Sequence, residues 1–170
     1  MAEATLSPER ADLLDTLQMH RYFLRHTARD LTDEQAGQRS TASELCIGGL
    51  IKHVTQGERN WTRFILDGSG ISGTDPAAIE EYANAFQMLP GETLASVFAA
   101  YDEVAKHTDD LVRTLPDLDV SQPLPEAPWF EPGARWSARR VLLHIIAETS
   151  QHAGHADIIR ETIDGAKSMG

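Results

Sequence analysis

Glu148 and His152 stand four residues apart, with His144 one turn before the acid and His155 close behind His152. At about 100° per residue, a helix carrying this segment places all four side chains within an arc of about 80°. Val141, Ile145, Ile159 and Ile163 mark an apolar stripe down the same helix, so Glu148, His152 and His155 are expected inside the buried seam, with His144 at its edge. A buried, unpaired carboxylate is costly and is driven toward its neutral form, so something must compensate it. Either a protonated histidine hydrogen-bonds the acid, or a divalent cation is held by acid and histidine together. The i, i+4 spacing of Glu148 and His152 offers two donors to one ion.

A third donor has to come from a facing helix, and His53 lies in a second apolar seam with Leu50, Gly57 and Phe64. Gly57 follows one turn later. Glycine inside a helix costs about 1 kcal/mol relative to alanine, so its position calls either for space near His53 or for close helix packing. His53, Glu148 and His152 form a two-histidine, one-carboxylate set that leaves coordination positions open, as reactive sites do. Cys46, two turns before His53, reads as a small buried hydrophobe. Tyr101 falls on a third seam, where its hydroxyl either points to the cavity or packs in the core. His20 is a weaker cavity candidate, and His26 and His107 read as surface residues.

These donors require long helices, and the chain supplies them. Leu13, Leu17, Leu24 and Leu31 give helical period over 8–31, opened by Ser7-Pro8-Glu9. A break over 33–43 precedes a helix over 44–67 that stops at Gly68-Ser69-Gly70. Asp75-Pro76 opens a short helical insert through Ile79, Tyr82 and Phe86, ended by Pro90-Gly91. A third long helix spans 92–115 up to Pro116. Five of the eight prolines then fall within 116–132, which predicts an extended connector with a short strand or hairpin around Trp129-Phe130. The last helix runs from an N-cap at Ser137 to Asp164, with Gly165 beyond it. Four amphipathic segments without a strand ladder predict an all-α four-helix bundle with a short extra helix and a Pro-rich connector before the last helix.

Composition narrows the function. The 170 residues are expected to form one domain, and 15 Lys+Arg against 26 Asp+Glu give a net charge of −11, which argues against nucleic acid as the main partner. No apolar run approaches the length of a membrane span. One cysteine allows no internal disulfide, and the opening Met1-Ala2-Glu3 carries no leader pattern, so a cytoplasmic protein is expected.

The segment from Gly49 to Trp61, with His53, Glu58 and Trp61 spaced as GLxKHxxxxExxW, resembles the second helix of the DinB-like superfamily. Trp136-Ser137-Ala138-Arg139 and the run from His144 to Asp157, of the form HxxxExxxHxGHxD, resemble its last helix. The likeness extends over nearly the whole chain, and it is closest to the branch related to the N-terminal domain of mycothiol-dependent maleylpyruvate isomerase. It implies a four-helix bundle, often homodimeric, holding a divalent metal through His53, Glu148 and His152. Zinc is the expected ion, and nickel, iron and manganese are compatible with the same donors. It also implies a low-molecular-weight thiol, of the mycothiol or bacillithiol type, activated for S-transfer or isomerisation of a small-molecule substrate. His155 is then the candidate to orient a ligand or take a proton, and His144 to orient Glu148. A metal-dependent hydrolase, or a metal- or small-molecule-binding stress-response bundle without turnover, are the alternatives. Trp61 and Trp136 are expected to pack the bundle, and Arg139 to make a surface salt bridge.

Overall fold

The first long helix, α1 (Pro8–Thr27), starts as its sequence dictates: the Ser7 hydroxyl accepts the Arg10 N–H, and Pro8 fills the first helical position. The computed structural model describes residues 6–71 and 76–168. In chain order there follow α2 (Asp33–Gly37), α3 (Ile47–Asp67), α4 (Pro76–Ala85), α5 (Leu94–Thr114), β1 (Ser121–Pro123), β2 (Arg135–Ser137) and α6 (Ala138–Asp164). Four long helices, α1, α3, α5 and α6, make an all-α bundle of the expected class. α1 packs on α6, and α3 packs on both α5 and α6.

Several boundaries differ from the periodicity. α1 ends at Thr27 and not at Leu31: Asp30 adopts φ +60°, a left-handed turn that stops the helix while Leu31 still packs against the core. Residues 33–43 are not wholly irregular, because Thr32 and Gln35 form a reciprocal capping box that supports the five residues of α2. α3 starts at Ile47, with Cys46 buried at its N-cap position and giving no side-chain cap. The short insert is α4, which begins at Pro76; Asp75 lies outside the described residues. The hairpin expected around Trp129-Phe130 pairs farther out, Ser121 with Ser137 and Pro123 with Arg135, antiparallel. Trp129 and Phe130 belong to the loop between these strands, where prolines exclude a ladder.

The core divides into two apolar clusters. One gathers Leu13, Leu17, Trp61, Phe64, Val112, Val141 and Ile145. The other gathers Leu24, Leu50, Ile51, Val54, Tyr101, Ala153 and Ile159. Each long helix contributes to both, and each carries polar residues in the turn between: Arg21 on α1, Glu58 on α3, Thr108 and Asp109 on α5, Thr149 on α6. Arg21 donates to Glu58 and, at 2.7 Å, to Asp109. Glu58 is fully enclosed, with its side chain 0% exposed. Burial works against the Arg21 charge, yet the two carboxylates outweigh it and hold the guanidinium above its ordinary pKa.

Candidate metal centre

α3 and α6 lie side by side and bring His53, Glu148 and His152 to one place at the level of this polar layer. Glu148 Oε2 stands 3.7 Å from His152 Nε2 and 3.9 Å from His53 Nε2. One donor atom from each of the three residues falls within 4.8 Å of the other two. Those separations are too long for hydrogen bonds. Donors on a tetrahedral ion with bonds of about 2.0–2.1 Å stand roughly 3.3 Å apart, so Glu148 must close on each histidine by tenths of an ångström, and the two histidines, within 4.8 Å, by up to about 1.5 Å, to share one. Their chemistry, two imidazoles and a carboxylate, fits zinc and equally nickel. His152 and His53 on either side hold the Glu148 carboxyl well below the usual carboxylate range, so it is a standing anionic donor.

Glu148 lies shallower than the apolar stripe on α6 predicts. The buried face of α6 runs through Val141, Leu142, Ile145, Thr149, Ala153, Ala156 and Ile159, and Glu148 flanks it with its side chain 39% exposed. His53 and His152 are far more enclosed, at 11% and 12%. Glu148 opens onto a cavity of about 690 Å³ that α4 and the connector roof over. The enclosed acid that needs compensation is Glu58, and its partner is an arginine.

Packing fixes the orientation of the two candidate histidine donors. The His53 ring stacks on Phe86, 4.0 Å between centroids at 22°, and meets the edge of Tyr82 at 5.4 Å. Phe86 reaches it because Gly49 lets the chain press against α3; a Cβ there would lie 2.0 Å from the Phe86 carbonyl oxygen. Lys52 then pins this segment, donating to the carbonyls of Asn84 and Gln87 and to Glu92. On the other side, His155 Nδ1 lies 3.3 Å from His152 Nδ1, so one ring nitrogen donates to the other and the His152 Nε2 is left facing Glu148.

The remaining candidates separate. His144 lines the same cavity one turn before Glu148, set edge-on against Trp61 and Trp136, and its burial lowers its pKa, with the Glu148 charge acting the other way. Gly57 also lines the cavity, and a Cβ there would meet nothing within 4 Å, so the glycine marks open space and not close helix packing. Tyr101 is not among the lining residues. It is 1% exposed in the core, where burial raises the phenol far above its ordinary pKa, and its hydroxyl has no partner among the described residues. His20 does not line the cavity either. Trp61 and Trp136 stack at 4.9 Å and pack the bundle, and Arg139 pairs with Glu9 and Asp119 at the surface.

Periodicity alone missed Phe86, Lys52 and the Arg21–Glu58 pair. A signal for the last existed: Arg21 follows Leu17 by four residues and Glu58 follows Val54 by four, so opposite charges occupy core positions on two helices. Among the described residues, no helix is long and apolar enough to cross a membrane.

A family model described as MST: Mycothiol-S-transferase matches residues 12–165. No curated protein matches the chain.

Proposed function

The chain belongs to the mycothiol-S-transferase family, a DinB-like family, and we propose that it is a metal-dependent enzyme that transfers the sulfur of a low-molecular-weight thiol, mycothiol first, to a small electrophile. The observation that carries this reading is the convergence of one donor atom each from His53, Glu148 and His152 beside a cavity that His53 and Glu148 line. A bound divalent cation, zinc by preference, would supply acidity, lowering the pKa of a coordinating thiol so that it is held as thiolate at neutral pH. The chain's own residues do the rest. Held to a cation through Nε2, His152 would carry its proton on Nδ1 and donate that N–H to His155 Nδ1, 3.3 Å away, which makes His155 a positioning residue for the donor and not the base. Stacking on Phe86 fixes the plane of His53 where a hydrogen bond to Nδ1 is lacking among the described residues. Glu148, ionised throughout the working range, balances part of the added charge. Gly57 leaves room for the thiol's body beside the donors.

The sulfur comes from the cofactor thiol, because Cys46 is buried at the start of α3. The test is the rate of mycothiol consumption with an alkylating acceptor, by zinc-loaded wild type and by His152→Ala. Loss of a ligand from a three-residue set is expected to lower the rate at least about 100-fold. Equal rates in both proteins would remove S-transfer from this site.

A further inference from the structure

The mouth of the cavity is built from exposed apolar and aromatic side chains of two unrelated segments. From α4 come Ile79 and Tyr82, each 57% exposed, and from the loop between β1 and β2 comes Trp129, 65% exposed, with Phe130 behind it. Ile79, Tyr82 and Trp129 are among the largest hydrophobic exposures on the described surface, and with the partly buried Phe130 they border the cavity that holds His53 and Glu148. Each side is braced from within. Trp129 touches Phe130, Phe130 touches Trp136, and Trp136 stacks on Trp61. Opposite, Tyr82 packs edge-on against Phe86, which carries His53. His53 and Glu148 therefore line the same cavity as these aromatic side chains, with His152 beside them. Large apolar side chains left in water at one rim mark a surface that a ligand covers. Aromatic side chains lining one cavity offer stacking and edge contacts to a flat ring bound among them.

We propose that the electrophile taken by this site is a planar aromatic or conjugated apolar compound, held among Trp129 and the α4 side chains with its reactive carbon directed at the donors; this rests on the S-transfer reading above. With a benzylic halide, the step balances simply. The thiolate sulfur forms a bond to the benzylic carbon, the carbon–halogen bond breaks with its electron pair on the departing halide, and the thiol proton passes to solvent. Small polar acceptors lack the stacking surface and gain nothing from these side chains.

Two measurements on the full chain test this. The first is calorimetric binding of 4-nitrobenzyl alcohol, an unreactive planar ring, to wild type and to Trp129→Ala and Ile79→Ala; both positions are exposed, so the fold is kept. Loss of the Trp129 ring is expected to weaken binding about tenfold, and loss of the Ile79 side chain by about threefold. The second is zinc-loaded turnover of mycothiol with 4-nitrobenzyl chloride and with iodoacetamide. Trp129→Ala should raise KM about tenfold for the aromatic chloride and leave iodoacetamide unchanged. Binding of the alcohol that depends on Trp129, without any turnover, upholds the aromatic site and defeats S-transfer. Equal binding of the alcohol by wild type and Trp129→Ala, or equal loss with both acceptors, overturns the aromatic site and leaves S-transfer standing.

Discussion

Removing Arg21 should damage the bundle more than removing its carboxylate partner. Arg21→Met deletes the charge that reaches Glu58, whose side chain is 0% exposed and whose Oε2 already has no partner among the described residues. Breaking a buried pair from this side costs about 3–5 kcal/mol, and full enclosure places it near 4. Glu58→Leu is milder, because Arg21 keeps Asp109 at 2.7 Å and Asp109 is 16% exposed; about 1–2 kcal/mol is expected. The double variant leaves only Asp109, at the edge of solvent, and fills the layer with apolar atoms, so it should fall within about 1 kcal/mol of wild type. Its loss should therefore be at least about 3 kcal/mol smaller than the sum of the single losses. At roughly 2–4 °C per kcal/mol for a chain of this size, Arg21→Met should lower Tm by about 8–16 °C. Urea unfolding followed by far-UV circular dichroism in the presence of chelator measures all four proteins without metal linkage. A loss under about 1 kcal/mol for Arg21→Met, or additive single losses, would refute the view that this layer is one coupled ion network.

Three further outcomes follow from particular positions. Gly49→Ala forces a Cβ to within 2.0 Å of the Phe86 carbonyl oxygen, so stability should drop by about 2–3 kcal/mol and zinc affinity should fall with it as Phe86 leaves His53; unchanged calorimetric affinity would count against the stacking role. Gly57→Ala meets nothing within 4 Å and should instead stabilise the protein by about 0.5–1 kcal/mol in the same urea assay. His144 has a folded pKa depressed by burial from 6.5, so it contributes stability that is present above pH 6.5 and is lost as pH falls through the lower folded value; His144→Phe should flatten the urea-midpoint profile across that window, and an unaltered profile would contradict it.

Much of this architecture was legible because it rests on local signals. Ser7 and Ser137 cap α1 and α6 through their hydroxyls, and Gly68 and Gly165 end α3 and α6 at φ +79°, each where the residue types place them. The i, i+4 pair of Glu148 and His152, with His53 on the facing helix, was likewise readable, since spacing alone puts side chains on one face. What was not readable depends on tertiary approach. The apolar stripe on α6 suggested a deep Glu148, but the cavity beside α3 lets water reach it, and a one-dimensional pattern carries no cavity. Phe86 serves His53 only because Gly49 admits its backbone, a contact between segments nearly forty residues apart. The Arg21–Glu58–Asp109 layer joins three helices, and pairing of this kind is invisible until the helices are set side by side.

The most direct measurement is zinc per chain in protein purified without a histidine tag, dialysed with zinc and desalted, for wild type and His152→Ala of matched helical content. About one zinc per wild-type chain and less than about 0.1 in the variant is the predicted result. Wild type below about 0.1, with nickel failing as well, or equal loading of both proteins, would contradict a metal centre at His53, Glu148 and His152.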